Sequence, residues 1–132
     1  MLLSCRMLQD VSGVNSFEYA EAAEFTEGDA ASVYFQLIDR SKDARSSGFV
    51  PSGRRYMPAA GATLEVVLDH LDDGKKVTRA ASQPYPQDPS IWKLDVMASD
   101  KVLGTVTMRL ALTEGAVVTR GSLAAALLVR AA

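Results

Sequence analysis

Apolar and polar residues alternate with a period of two through much of this chain, the spacing of a strand with one face on a core and the other in solvent. Leu64, Val66 and Leu68 alternate with Glu65, Val67 and Asp69, and Trp92, Leu94 and Val96 with Lys93 and Asp95. The longest run, Gly104 to Thr113, turns Val106, Met108, Leu110 and Leu112 inward and Thr105, Thr107, Arg109 and Ala111 outward. Helical spacing would scatter those polar groups into the core. Leu2 to Gln9 predicts a first strand with Cys5 packed in or near the core as a small apolar group. In Ala31 to Asp39, Val33, Phe35 and Leu37 alternate with Tyr34, Gln36 and Ile38, which predicts a strand covered on both faces.

Turn residues punctuate these runs. Leu71-Asp72-Asp73-Gly74 predicts a hairpin returning through Lys76 to Gln83, because Asp-Gly supplies the positive φ of a tight reversal. Pro84, Pro86 and Pro89 forbid regular ladder pairing until Ile91, and Thr113-Glu114-Gly115 marks another reversal. Phe17, Tyr19 and Phe25 fit an irregular strand leading to a Glu27-Gly28-Asp29 turn. Leu123 to Val129 fits either a short helix or a buried final strand, and periodicity does not separate the two. At seven residues it is far short of the roughly 20 needed to span a bilayer. The sum is one all-β domain over 1–132, an antiparallel sandwich or small barrel of seven or eight strands.

Composition narrows the chemistry. The chain has 132 residues, 48% apolar and 23% charged, with a net charge of −2, so it is a single globular domain without a global basic field for nucleic acid or an anionic membrane. One cysteine and one histidine provide neither a disulfide nor a structural zinc set, and no cofactor is expected. Cys5 has only four residues before it, so it reads as a core residue and not as a lipid-modified one. His70 stands without a nucleophile motif and reads as an exposed or hairpin-end histidine. The Asp69 to Gly74 stretch fails as a calcium loop, with Leu71 at its third position and Ala80 at its twelfth. Trp92, Tyr85, Tyr34 and Tyr56 could stack on sugar rings, but Trp92 within an alternating strand reads as a core anchor.

Near-neutrality conceals local polarity. Phe17 to Asp29 holds Glu18, Glu21, Glu24, Glu27 and Asp29 with no basic residue, a net −5. Arg40 to Arg55 holds Arg40, Lys42, Arg45, Arg54 and Arg55 against Asp43 alone, a net +4. That basic stretch belongs to residues 40–61, which lack periodicity and form a long loop or arm, a length that is usually functional in compact domains. Phe49, Val50, Tyr56 and Met57 interleave with its arginines, the composition of an arm that orders against a neighbouring subunit or folds over its own domain.

Phe25-Thr-Glu-Gly-Asp29, Val33-Tyr-Phe-Gln-Leu-Ile-Asp39 and Gly61-Ala-Thr-Leu-Glu-Val-Val-Leu68, followed by the hairpin Leu110 to Arg120, together resemble the immunoglobulin-like modules of tailed-bacteriophage virion proteins. The N-terminal domain of baseplate upper proteins is one such module. The resemblance spans Phe25 to Val129 and rests on short turn motifs; the basic insertion at Arg40 to Arg55 and the segment before Phe25 depart from it. It implies an antiparallel Ig-like β-sandwich acting as a non-enzymatic tail, baseplate or neck component. Such a protein is made in the bacterial cytoplasm, resides in the virion and docks to other virion proteins and to copies of itself. Capsid decoration and carbohydrate binding for host attachment are the alternatives. The expected interface residues are Arg40, Arg45, Phe49, Arg54, Arg55, Tyr56 and Met57 on the arm, facing Glu18, Glu21 and Glu24 of a neighbour.

Overall fold

The computed structural model describes residues 1–10, 17–28, 30–41, 53–71, 74–97 and 104–131. These residues form strands β1 (Leu3–Asp10), β2 (Phe17–Ala20), β3 (Ala23–Thr26), β4 (Ala31–Asp39) and β5 (Arg54–Arg55). They continue with β6 (Thr63–His70), β7 (Lys76–Ala81), β8 (Ile91–Val96), β9 (Gly104–Glu114) and β10 (Val117–Arg130), and include no helix.

The period-two alternation becomes a single core. Leu3, Cys5 and Met7 of β1, Val33, Phe35 and Leu37 of β4, and Leu64, Val66 and Leu68 of β6 point into one buried cluster. Trp92, Leu94 and Val96 of β8 join them with Val106, Met108, Leu110 and Leu112 of β9 and Ala126, Leu127 and Val129 of β10. Burying these side chains supplies the main drive for folding, about 1.5–3 kcal/mol for each large one. As the alternation in β4 requires, its other face is also covered in part: Gln36 and Ile38 are buried.

The strands join in the order β5-β4-β1-β10-β9-β6-β7, with β2 added to β1, β3 to β10 and β8 to β4. An isolated bridge between Ser82 and Lys93 then ties the chain just beyond β7 back to β8. The hydrogen-bonded path β8-β4-β1-β10-β9-β6-β7 therefore closes into a circuit around the core. Two of its links are narrow: Leu3 to Gly121 between β1 and β10, and the Ser82–Lys93 bridge.

The sheet is mixed, not purely antiparallel, and its ten described strands exceed the seven or eight expected. The excess comes from short pieces. Phe17 to Asp29 yields two four-residue strands, and Arg54–Arg55 adds a two-residue strand. Parallel pairing arises because β10 meets β1 at Gly121 and β3 at Leu127 to Arg130, both in the same direction. A side chain at position 121 would collide with the Leu3 carbonyl, so glycine is what lets β1 approach. The terminal apolar segment is strand: β10 runs from Val117 to Arg130, with a register shift between Leu123 and Leu127 and Ala125 at a φ of 54°.

Of the expected long loop at 40–61, residues 42–52 lie outside the described residues, and with them Arg45 and Phe49. Of the rest, residues 57–61 form no strand, but the residues before them are tied to the fold. Arg54 and Arg55 pair with Asp39 and Ile38 of β4, and Tyr56 packs against the core.

Candidate functional site

Strand β4 ends on a buried carboxylate that organises one end of the molecule. Asp39 Oδ1 accepts hydrogen bonds from the Ser41 hydroxyl (2.6 Å), the Ser41 backbone N–H (3.0 Å) and the Leu2 N–H (3.1 Å). The Ser41 hydroxyl contributes most to holding the Asp39 carboxyl below its ordinary range, against the opposing effect of burial. The Arg40 N–H donates to the Leu2 carbonyl at 2.9 Å, so the start of β1 and the turn after β4 are fixed to each other. Gly53 brings the chain back: a Cβ there would lie 2.8 Å from the Asp39 carbonyl oxygen.

Tyr56 anchors the next few residues. Its N–H donates to the Leu37 carbonyl at 2.8 Å, and its hydroxyl donates to the Glu114 carboxylate, 2.7 Å from Oε1 and 2.9 Å from Oε2. Glu114 Oε2 also accepts from the Ala59 N–H at 2.9 Å. The Glu114 hydrogen bond, assisted by burial, pushes the Tyr56 phenol up to about 12. Tyr56 is thus a structural tie between the root of the arm and the β9–β10 hairpin, while Met57 beside it is exposed.

Topology collects an exposed apolar surface at this same end. Met1, Leu2, Met57, Val117 and Val118, each between 46% and 65% exposed, are five of the eight exposed large apolar residues among the described residues. They flank the start of β1, the chain after β5 and the tip of the β9–β10 hairpin. A groove of about 540 Å³ runs between Met1, Leu2, Leu3 and Ser4 on one side and Arg120, Gly121 and Ser122 on the other, with Arg40 at its edge. Arg40, Arg54 and Arg120 make no ion pair among the described residues, whereas Arg55 reaches Asp88 at 3.6 Å. Apolar groups framed by arginines, with the local acids Asp39 and Glu114 already engaged, have the composition of a protein-docking surface.

The acidic residues stand elsewhere. Glu18 pairs across to Gln9, near the far end of β1, and Glu24 pairs to Leu128 of β10. Glu18, Glu21, Glu24 and Glu27 are exposed, and only Glu24 forms an ion pair among the described residues, with Arg130 at 3.2 Å. From Leu3 to Gln9 is about 20 Å along the strand. Among the described residues, Arg40, Arg54 and Arg55 therefore stand at one end of the strands and Glu18 and Glu24 towards the other, while Glu21 lies between them at the β2–β3 turn. Sequence reasoning missed Leu2, Val117, Val118 and Arg120; the glycine at 121, where β1 meets β10, was the one local signal of a close backbone approach.

A second cluster covers the outer face of β1, β2, β4 and β8. Phe17 packs on Tyr34 and Tyr85 with ring centres 5.2 and 5.9 Å apart, and Tyr34 stacks on Tyr85 at 6.4 Å. Arg6 lies 4.1 Å from the Tyr19 ring centre and donates to Gln36 Oε1 at 2.9 Å. The Gln36 amide N–H₂ donates to the Ser90 hydroxyl at 3.2 Å. These aromatic faces are largely occupied by one another, and Trp92 is buried in the core.

His70 ends β6 but is buried, not exposed, with Nδ1 3.2 Å from the Lys75 carbonyl oxygen. Cys5 is fully buried, and desolvation pushes its thiol up to about 12. Among the described residues no group of three His, Cys, Asp or Glu could hold a metal ion, and no helix is long and apolar enough to cross a membrane. No family model matches the chain, and no curated protein matches it either.

Proposed function

We propose that this chain is a non-enzymatic structural module that works by docking onto protein neighbours, its setting being the tailed-phage virion that its turn motifs resemble. In that setting it is made in the host cytoplasm and ends in the particle, as a tail, baseplate, neck or capsid-surface component. The narrow links at Leu3–Gly121 and Ser82–Lys93 divide the strand circuit into a β1–β4–β8 group and a β10–β9–β6–β7 group. That division supports reading the fold as two layers of the immunoglobulin-like kind.

The observation that carries the functional reading is the end surface on which Leu2, Met57, Val117 and Val118 are exposed beside Arg40, Arg54 and Arg120. Monomeric proteins rarely leave contiguous apolar surface uncovered, and arginine with methionine is enriched where protein partners bind. The carbohydrate reading draws on the tyrosines instead, and has less support because Phe17, Tyr34 and Tyr85 pack on each other and Arg6 covers Tyr19.

A photo-crosslinking side chain placed at Val118, with a control at the exposed Ala80 of β7, tests the reading in the native particle fraction. The expected result is a protease-sensitive polypeptide adduct from position 118 and none from position 80. Equal labelling from both sites, or adducts to glycan alone, would sink it.

A further inference from the structure

We infer that the partner received at the arm end is a second copy of this chain, bound through its acidic end, so that copies join head to tail. This rests on the protein-docking reading above and names its partner and geometry. At the arm end the 540 Å³ groove sets the exposed Leu2 beside Arg40 and Arg120, and the exposed Val117 and Val118 lie just before Arg120 at the tip of the β9–β10 hairpin. Its β9–β10 hairpin extends past the start of β1, because Gly121 stands level with Leu3 and Val117 lies four residues earlier, about 13 Å further out. The hairpin tip therefore projects along the strands, beyond the start of β1.

A partner for it must offer carboxylates. The same chain offers them at its other end, where Glu18, opposite Gln9, and Glu27, bonded through its N–H to the Arg130 carbonyl, are exposed without an ion pair among the described residues and Tyr19 is 53% exposed beside them. About 20 Å of strand separates the two ends, so one copy cannot satisfy itself. An end-to-end contact about a two-fold axis would set arginine against arginine. A contact between unlike ends sets arginine against glutamate and leaves each copy with one free end, which generates a ring or a filament. Charge would set register and encounter rate, with the apolar residues contributing most of the hold.

Sedimentation velocity of the purified full chain over a range of concentration and salt tests this. The wild type should form species larger than a dimer, weakened as salt rises. Two double variants, R40E/R120E and E18K/E27K, should each associate about tenfold more weakly or not at all. Their equimolar mixture should assemble again, because the reversed arm end of one complements the reversed acidic end of the other. Circular dichroism reports whether each variant is folded. If a reversal unfolds the chain, R40Q/R120Q and E18Q/E27Q should show the same weakening in milder form.

A wild type that stays monomeric, one that stops at a dimer, or folded variants that fail to rescue each other would overturn the inference. A monomer that still gives a polypeptide adduct at Val118 in particles would remove this inference and leave the docking reading standing. Absence of any adduct at Val118 would remove the docking reading itself.

Discussion

Gly121 and Ala125 stand four residues apart in β10 and place opposite demands on the backbone. At 121 the chain has no room for a side chain beside the Leu3 carbonyl, so Gly121→Ala should lower stability by about 1–3 kcal/mol, read by chemical denaturation. At 125 an alanine is held at a φ of 54°, where Cβ crowds the carbonyl oxygen. Ala125→Gly should raise stability by about 0.5 kcal/mol in the same assay, the relief of strain being partly offset by glycine's greater freedom in the unfolded chain. Two other residues link stability to pH. The Asp39 carboxyl is lowered in the folded chain, so its contribution is present above the ordinary carboxylate range and is lost as pH falls below about 4. Thermal melts from pH 6 to 2.5 should show that loss, reduced in Asp39→Asn. Tyr56 is raised to about 12, so its contribution is present below about pH 10 and is lost as pH rises through 12. Tyrosine absorbance should show one phenol ionising late, and Tyr56→Phe should remove that step.

At the scale of elements, the β4–β5 pairing fixes the described part of the basic segment to the fold. Asp39 pairs with Arg54 and Gly53 lies against the Asp39 carbonyl, so the two sides of residues 42–52 are close enough for a short turn. Replacing 42–52 with Asn-Gly should therefore leave a folded chain with stability changed by about 1 kcal/mol or less, since loop closure depends only weakly on length. Extending the deletion through Tyr56 should cost much more, because that residue ties β4 and β9 together through Leu37 and Glu114. Comparing the two deletions by thermal melt and by association state distinguishes a folding role from a docking role. The register shift in β10 has a comparable division of labour. Residues before it pair with β1, and those after it pair with β3.

For the whole molecule, the circuit of strands is uneven. β6 is paired along both edges, with β7 and β9, and β9 along both, with β6 and β10. The Leu3–Gly121 and Ser82–Lys93 links each rest on one residue pair. Amide hydrogen exchange should be slowest at Leu68, Met108 and Leu110 and fastest at these two seams, because local opening there breaks few bonds. Alternation in the sequence was enough to determine an all-β chain and most of its buried residues, from Val33, Phe35 and Leu37 to Trp92 and the inward positions of β9. Successive side chains on a strand take opposite faces, so a local pattern already records burial. It could not determine which strands are neighbours, nor that β10 accepts β1 and β3 in parallel, because such pairs join residues over a hundred positions apart. The sequence likewise identified the charged segments Glu18 to Glu27 and Arg40 to Arg55. Only the tertiary structure set Glu18 and Glu24 far along the strands from Arg40, Arg54 and Arg55, brought Arg120 beside Arg40, and turned Tyr56 inward as an anchor. Charge is a property of each residue, whereas its position along the strand axis depends on how distant segments pair.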